Sequence, residues 1–81
     1  MSRAEQDPAI RRRLAADLRE AERQVTVAEE RLRVVEAALS DPARYSGDLA
    51  ALGHEHATLR DEVERLTARW AELAEAAEGA A

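Results

Sequence analysis

Two histidines in the segment Gly53-His54-Glu55-His56 come closest to a metal-binding motif in this chain. The zinc-protease helix motif spaces its two histidines four residues apart, so that both imidazoles lie on one face of the helix. His54 and His56 are only two residues apart, and on a helix their side chains would point about 200° apart. The sequence therefore predicts no metal site, and it favours a solvated His54 and a His56 packed between helices.

No other set of residues predicts catalysis or cofactor binding. The chain contains no cysteine, which excludes a thiolate nucleophile, a sulfur-ligated zinc ion and a disulfide. Its three glycines are isolated and do not form a phosphate-binding loop. Acidic side chains are numerous, as is usual on the solvent-facing positions of helices. We expect a protein that is not an enzyme and has no cofactor.

Arginine supplies all twelve basic residues, and some of them are candidates for contact with nucleic acid. The net charge of −5 disfavours general binding to a polyanion, but residues 1–23 hold six arginines against five acidic residues. A solvated helix end is the alternative interpretation of this concentration. Tyr45 either stacks on a base or packs over the end of a hairpin. The candidate nucleic-acid contacts are Arg11, Arg12, Arg13, Arg19, Arg23, Arg44 and Tyr45.

Length and composition indicate that long helices position these residues. A chain of 81 residues is one small domain, and with 2% aromatic residues and no phenylalanine it lacks the bulky side chains of a globular core or a β-sandwich. The hydrophobic fraction of 46% is too high for a disordered tail if those residues share a face. No apolar run has the length of a membrane span or a signal peptide core. We expect a cytoplasmic protein without membrane contact.

Apolar residues follow the heptad spacing of a coiled coil in two segments. The first runs from Leu14 to Leu39 and the second from Leu49 to Ala77, and Pro42 lies between them. Because the connection is short, the second helix must return antiparallel to the first. The predicted fold is all-α, an antiparallel two-helix coiled-coil hairpin.

Residues with capping preferences predict the bounds of the helices. Asp7-Pro8 suits a helix start, a proline at position 42 suits a stop, and Ser46 or Asp48 can cap the second helix. The predicted divisions are a tail and cap at 1–7, helix 1 at 8–40, the tip at 41–47, helix 2 at 48–78 and a tail at 79–81.

Charged residues beside the seam between the helices fit two antiparallel registers, and the sequence leaves the choice open. The first register pairs Asp17 with Arg69, Arg31 with Glu55, and Glu22 with Arg60. The second, slipped by one heptad, pairs Glu29 with Arg60 and Arg31 with Glu62, and it sets Ala21 against Trp70.

A second, mildly apolar stripe lies off the seam on helix 1. It consists of Val27, Arg31, Val34 and Ala38. A two-helix hairpin has one seam, and chains of this size often need a partner for stability. The stripe therefore predicts either a protein-interaction surface, including self-association as a homodimeric four-helix bundle, or incidental exposure of two valines.

Four segments resemble a known family. They are LSDPARY (39–45), DLAAL (48–52), LRDEVERL (59–66) and RWAEL (69–73). Over residues 10–77 the chain resembles the C-terminal coiled-coil domain of the ABC-F family of tandem-cassette ATPases, including its Uup-type members. In that domain a heptad helix ends at a Leu-x-Asp-Pro-x-x-Tyr tip, and the returning helix closes with an Arg-Trp-x-Glu-Leu-like signature.

The resemblance implies a function that the residues alone do not reveal. In the ABC-F family this hairpin is an accessory arm directed to DNA or to ribosomal RNA and the ribosome. The Walker A, Walker B and signature sequences of the ATPase cassettes are absent from these 81 residues. Any ATPase activity would therefore belong to the cassettes of a longer parent protein.

Overall fold

A computed structural model describes residues 7–80 and contains two long helices. Helix α1 is Pro8–Ser40, helix α2 is Leu49–Ala80, and a short 3-10 turn, Pro42–Arg44, lies between them. The two helices pack along their length into a rod of 58 × 14 × 14 Å. The prediction of an all-α antiparallel hairpin is confirmed. Residues 1–6 and 81, which belong to the predicted tails, lie outside the described residues.

Local hydrogen bonds explain where α1 begins and ends. Asp7 Oδ1 accepts a hydrogen bond from the Ala9 amide at 2.8 Å, and proline occupies the first helical position, where no amide hydrogen is needed. At the other end, the Ser40 hydroxyl donates to the Ala37 carbonyl at 2.8 Å. Pro42 then prevents a further helical turn because it has no amide hydrogen.

Helix α2 is capped at its start and runs longer than predicted at its end. Of the two predicted caps, Asp48 is the one used, since its Oδ1 accepts from the amides of Ala50 and Ala51 at 2.9 and 3.2 Å. The helix continues through Gly79, which the sequence analysis placed in the tail. No described glycine has a positive φ, so Gly79 does not form the left-handed cap that often ends a helix.

Small side chains of α1 face leucines of α2 in the seam. The buried residues lie one heptad apart in each helix: Ala21, Ala28 and Val35 in α1, and Leu52, Leu59 and Leu66 in α2. The remaining seam positions between Val25 and Val63 are half-buried, except Leu49, which is exposed. Pairing a small residue with a large one fills the space between close helices without a cavity.

The structure selects one of the two registers. His56 Nε2 lies 3.3 Å from Glu36 Oε2, and the indole N–H of Trp70 donates to Glu22 Oε1 at 3.3 Å. Along each helix the two contacts are separated by about two heptads, so the pairing is constant between them. These contacts place Trp70 at the level of Glu22 and the buried Ala21. The structure therefore has the second predicted register.

Arg31 nevertheless forms the ion pair expected of the first register. Its Nε donates to Glu55 Oε1 at 2.8 Å. Glu62, the partner of Arg31 in the second register, lines an open groove between the helices together with Arg31. The long arginine side chain reaches the glutamate nearer the tip. The other predicted pairs are not among the ion pairs of residues 7–80. Packing, and not charge pairing, therefore determines the register.

Candidate nucleic-acid and protein interfaces

Four arginines form a stripe along the outer face of α1. Arg12, Arg19, Arg23 and Arg33 are exposed and lie within about 80° of one another around the helix axis. The stripe extends over about 30 Å at the helical rise per residue. One acidic residue, Glu30, lies within it. We call these four residues the arginine stripe.

The arginine stripe contains three of the predicted nucleic-acid contacts and one residue that sequence reasoning missed. Arg33 follows Arg12 by three heptads and therefore shares its face. The heptad pattern that identifies the seam also predicts that Arg33 points outward, because the seam positions define every outward position of the helix. The predicted contacts lie before residue 24 or at the tip, and neither group includes Arg33.

The remaining predicted arginines lie elsewhere. Arg11 and Arg13 are exposed, but each is turned by about 100° from Arg12 and projects from a different face. Arg44 lies in the 3-10 turn at the tip, with its Nε 3.4 Å from Asp41 Oδ2. The structure therefore brings three of the six candidate arginines together and leaves three outside the stripe.

Most of the arginine stripe is electrostatically unpaired. Arg23 is the exception, since its Nε donates to Glu20 Oε2 at 3.1 Å. Within residues 7–80, Arg12, Arg19 and Arg33 form no ion pair. Their positive charges face solvent along one side of the rod.

The outer face of α2 carries the opposite charge. Its outward positions include the exposed acidic residues Asp61, Glu64, Glu75 and Glu78. The rod is therefore polarised across its width, with a basic edge on α1 and an acidic edge on α2. The net charge of −5 conceals this separation.

Tyr45 packs over the end of the hairpin. Its half-buried side chain contacts the core cluster that contains Val35, Leu52 and Leu59. The ring also lies over Gly47, where an added Cβ would be 2.6 Å from the Tyr45 hydroxyl oxygen. The sequence allowed Tyr45 either to stack on a base or to pack over the hairpin end, and in the structure it packs over the hairpin end.

The predicted interaction stripe divides into exposed and packed residues. Val27 and Val34 are 66% and 58% exposed, respectively. Arg31 reaches across to α2 in its ion pair with Glu55, and Ala38 packs against the core cluster. The exposed apolar surface of this interaction stripe consists of the two valines, which lie one heptad apart on the same side of α1.

An open groove of about 660 Å³ lies beside Val27. Ala28, Leu59 and Leu66 contribute apolar side chains to it, and Arg31, Glu62 and Arg65 are among its charged residues. The groove runs between α1 and α2 on the side of the rod where the two valines are exposed. Apolar atoms of both helices are thus accessible to a partner on this side.

The two histidines occupy separate environments. His54 is exposed, whereas His56 is half-buried in the seam beside Glu36. Across the part of the chain that the structure describes, no three His, Cys, Asp or Glu residues are grouped so that they could hold a metal ion. Neither helix, as far as it is described, combines the length and the hydrophobicity required of a membrane span.

Comparison with known proteins gives a family match. Residues 10–75 match the model of the ABC transporter C-terminal domain. The match includes both helices and the tip between them. No curated protein and no solved structure matches the chain significantly.

Proposed function

Because the chain belongs to the ABC transporter C-terminal domain family, we propose that it serves as a non-catalytic arm of an ABC-F ATPase and contacts DNA or ribosomal RNA in the cytoplasm. The chain is a helical C-terminal module of ABC transporter-type proteins. ATP hydrolysis is the task of the tandem cassettes of the parent protein, and the hairpin supplies reach and contact surface.

The arginine stripe is the observation that supports this proposal. Guanidinium groups bind phosphate oxygens through paired hydrogen bonds, and they remain charged at every physiological pH. Arg12, Arg19 and Arg33 are exposed and free of ion pairs within residues 7–80. A straight stripe of about 30 Å matches the length over which a helix can follow a nucleic-acid backbone.

Charge polarity determines which side of the rod approaches the phosphates. The acidic edge of α2 repels a polyanion, while the basic edge of α1 attracts it. Because the Debye length at physiological salt is about 8 Å, the nearer edge dominates the interaction. The expected mode is therefore lateral contact through α1, with α2 turned away and the packed Tyr45 closing the tip.

Two matched triple variants test the proposal. The first, Arg12→Gln, Arg19→Gln and Arg33→Gln, removes the unpaired charges of the stripe. The second, Arg60→Gln, Arg65→Gln and Arg69→Gln, makes the same change in net charge on α2. Affinity for an RNA hairpin and for a DNA duplex is measured by fluorescence anisotropy between about 50 and 200 mM salt.

We expect the stripe variant to lose most of its affinity and the α2 variant to retain it. Each phosphate contact contributes roughly 0.7 to 0.9 to the slope of log affinity against log salt, so losing three should reduce the slope by about 2 to 3. Absence of binding by the unaltered chain at low salt contradicts the proposal. An equal loss in both variants also contradicts it, because it would indicate a response to net charge alone.

A further inference from the structure

The side of the rod that bears the exposed valines is a self-complementary surface. We call it the valine face, and it comprises Val27 and Val34 of α1, the groove beside them, and the flanking charged residues Arg31, Glu55, Glu62 and Arg69. The face has an apolar part on α1 and charges of both signs beside it. Of the arginine stripe, Arg23 also lines this groove, whereas Arg12, Arg19 and Arg33 do not.

The hairpin has a small core for its length. Six hydrophobic residues are buried, and Val35 is the only side chain of the described residues that is almost completely buried. A chain of this size commonly gains stability by oligomerisation. The long side of a rod measuring 58 by 14 Å has an area of about 800 Å², which is what each partner contributes to a typical stable interface.

We propose that a second copy of this chain covers the valine face and forms an antiparallel four-helix bundle. The two-fold axis crosses α1 midway between the two valines. Val27 then packs against Val34 of the partner subunit, and Val34 packs against the partner's Val27. Both exposed valines of each copy leave solvent in the same step, and α1 runs antiparallel to the partner's α1.

The charges of the valine face agree with this axis. The register given by the Glu36 and Trp70 contacts places the axis close to Glu62 on α2. Arg31 and Glu62 lie near the axis, where each faces its own copy directly and the opposite charge of the partner subunit diagonally. Farther out, Glu55 lies opposite Arg69 of the partner subunit. Opposite charges thus face each other directly at the two outer positions.

The dimer is independent of the proposed contact with nucleic acid. Arg12, Arg19 and Arg33, the unpaired arginines of the stripe, do not line the groove, so both copies keep them exposed in the bundle. Loss of dimerisation and loss of nucleic-acid binding are therefore separate outcomes, measured in separate experiments.

Sedimentation equilibrium tests for the dimer. The unaltered chain is expected to be dimeric at about 100 μM. The variant Val27→Glu with Val34→Glu should be monomeric, with dimer affinity reduced at least tenfold, because it places four carboxylates in the apolar part of the interface. The control variant Ala68→Glu with Ala71→Glu adds the same charge at two exposed positions of α2 and should remain dimeric. Circular dichroism verifies that both variants are helical.

Cysteine cross-linking tests the position of the two-fold axis. The chain has no cysteine of its own, so introduced thiols give an unambiguous result. A mixture of the Val27→Cys and Val34→Cys variants should form a disulfide-linked heterodimer under mild oxidation. Each variant alone should not form one. The thiols of its two copies are one heptad apart along the helix axis, about 10 Å, whereas a disulfide requires Cα atoms within about 7 Å.

Three results would overturn the proposal. A monomeric unaltered chain at the highest concentration rejects a second copy as the occupant of the valine face. Equal dimerisation of the Val27→Glu, Val34→Glu variant and its control rejects the valine face as the interface. Cross-linking of Val27→Cys alone as efficient as that of the mixture rejects the antiparallel axis. The cross-linking result stands even if the glutamate variant fails to fold.

Discussion

At the scale of single residues, the contact of Tyr45 with Gly47 closes the tip. The ring occupies the space that a Cβ at position 47 would need, at 2.6 Å from the hydroxyl oxygen. Since no described glycine has a positive φ, the tyrosine ring, and not the backbone conformation, disfavours a larger residue at position 47. Gly53 differs, because nothing lies within 4 Å of the position of its Cβ.

Substitution of the two glycines by alanine should change stability in opposite directions. Gly47→Ala should destabilise the hairpin by less than about 1 kcal/mol, because the far end of the tyrosine side chain must shift to admit the Cβ. Gly53→Ala should stabilise it by about 0.5 to 1 kcal/mol because alanine favours the helix interior. Urea unfolding at one fixed chain concentration measures both. In a Tyr45→Ala background the cost of Gly47→Ala should disappear, and a persistent cost would show that the ring is not its cause.

At the scale of the helices, burial differs between the middle of the seam and its end near the tip. Leu59 is 8% exposed between the two helices, whereas Leu49, also at a seam position, is 44% exposed at the start of α2. The difference arises because α1 ends at Ser40 and offers little surface to the first turn of α2. Two leucines in the same heptad pattern therefore contribute unequally to stability.

Truncation of these leucines should reveal that inequality. Leu59→Ala should reduce the free energy of unfolding by about 2 to 5 kcal/mol, since it removes buried methyl groups and leaves a cavity. Leu49→Ala should cost less than about 1 kcal/mol. Thermal unfolding followed by circular dichroism compares the two variants. Similar losses would contradict the packing described for the seam.

At the scale of the whole molecule, the hairpin is an extended rod with two distinct sides. Its Cα radius of gyration is 17.8 Å, whereas a compact chain of this length would have about 12 Å. Such a shape gives the arginine stripe and the valine face, which adjoin at Arg23, a long surface each. An arm of this kind can present one side to a polyanion and the other to a protein.

The shape makes a prediction for the dimer in solution. In small-angle X-ray scattering, the side-by-side bundle should have a maximum dimension about 10 Å longer than the 58 Å of one rod, because the proposed axis lies about 5 Å from the middle of α2, while its mass doubles. The cross-section should widen because the second rod lies alongside the first. A dimer about twice as long would indicate contact between rod ends and would contradict the valine face as the interface.

Sequence alone determined the elements of this protein because their causes are local. Asp7, Pro8 and Pro42 mark helix bounds through hydrogen bonds to neighbouring residues, and the heptad pattern identifies the face that each helix buries. The concentration of arginines before residue 24 identifies three arginines of the stripe, and the heptad pattern indicates the exposure of Val27 and Val34. The family resemblance, which the match over residues 10–75 confirms, rested on such local segments.

Tertiary structure decided the features that depend on residues far apart in the chain. The register required the packing of Trp70 beside Glu22, because exposed ion pairs of about 0.2 to 1 kcal/mol cannot distinguish two charge-complementary alignments. The packed position of Tyr45 depended on a core formed by both helices. The polarity of charge across the rod also required the hairpin, because antiparallel packing places the outward faces of α1 and α2 on opposite sides of the rod.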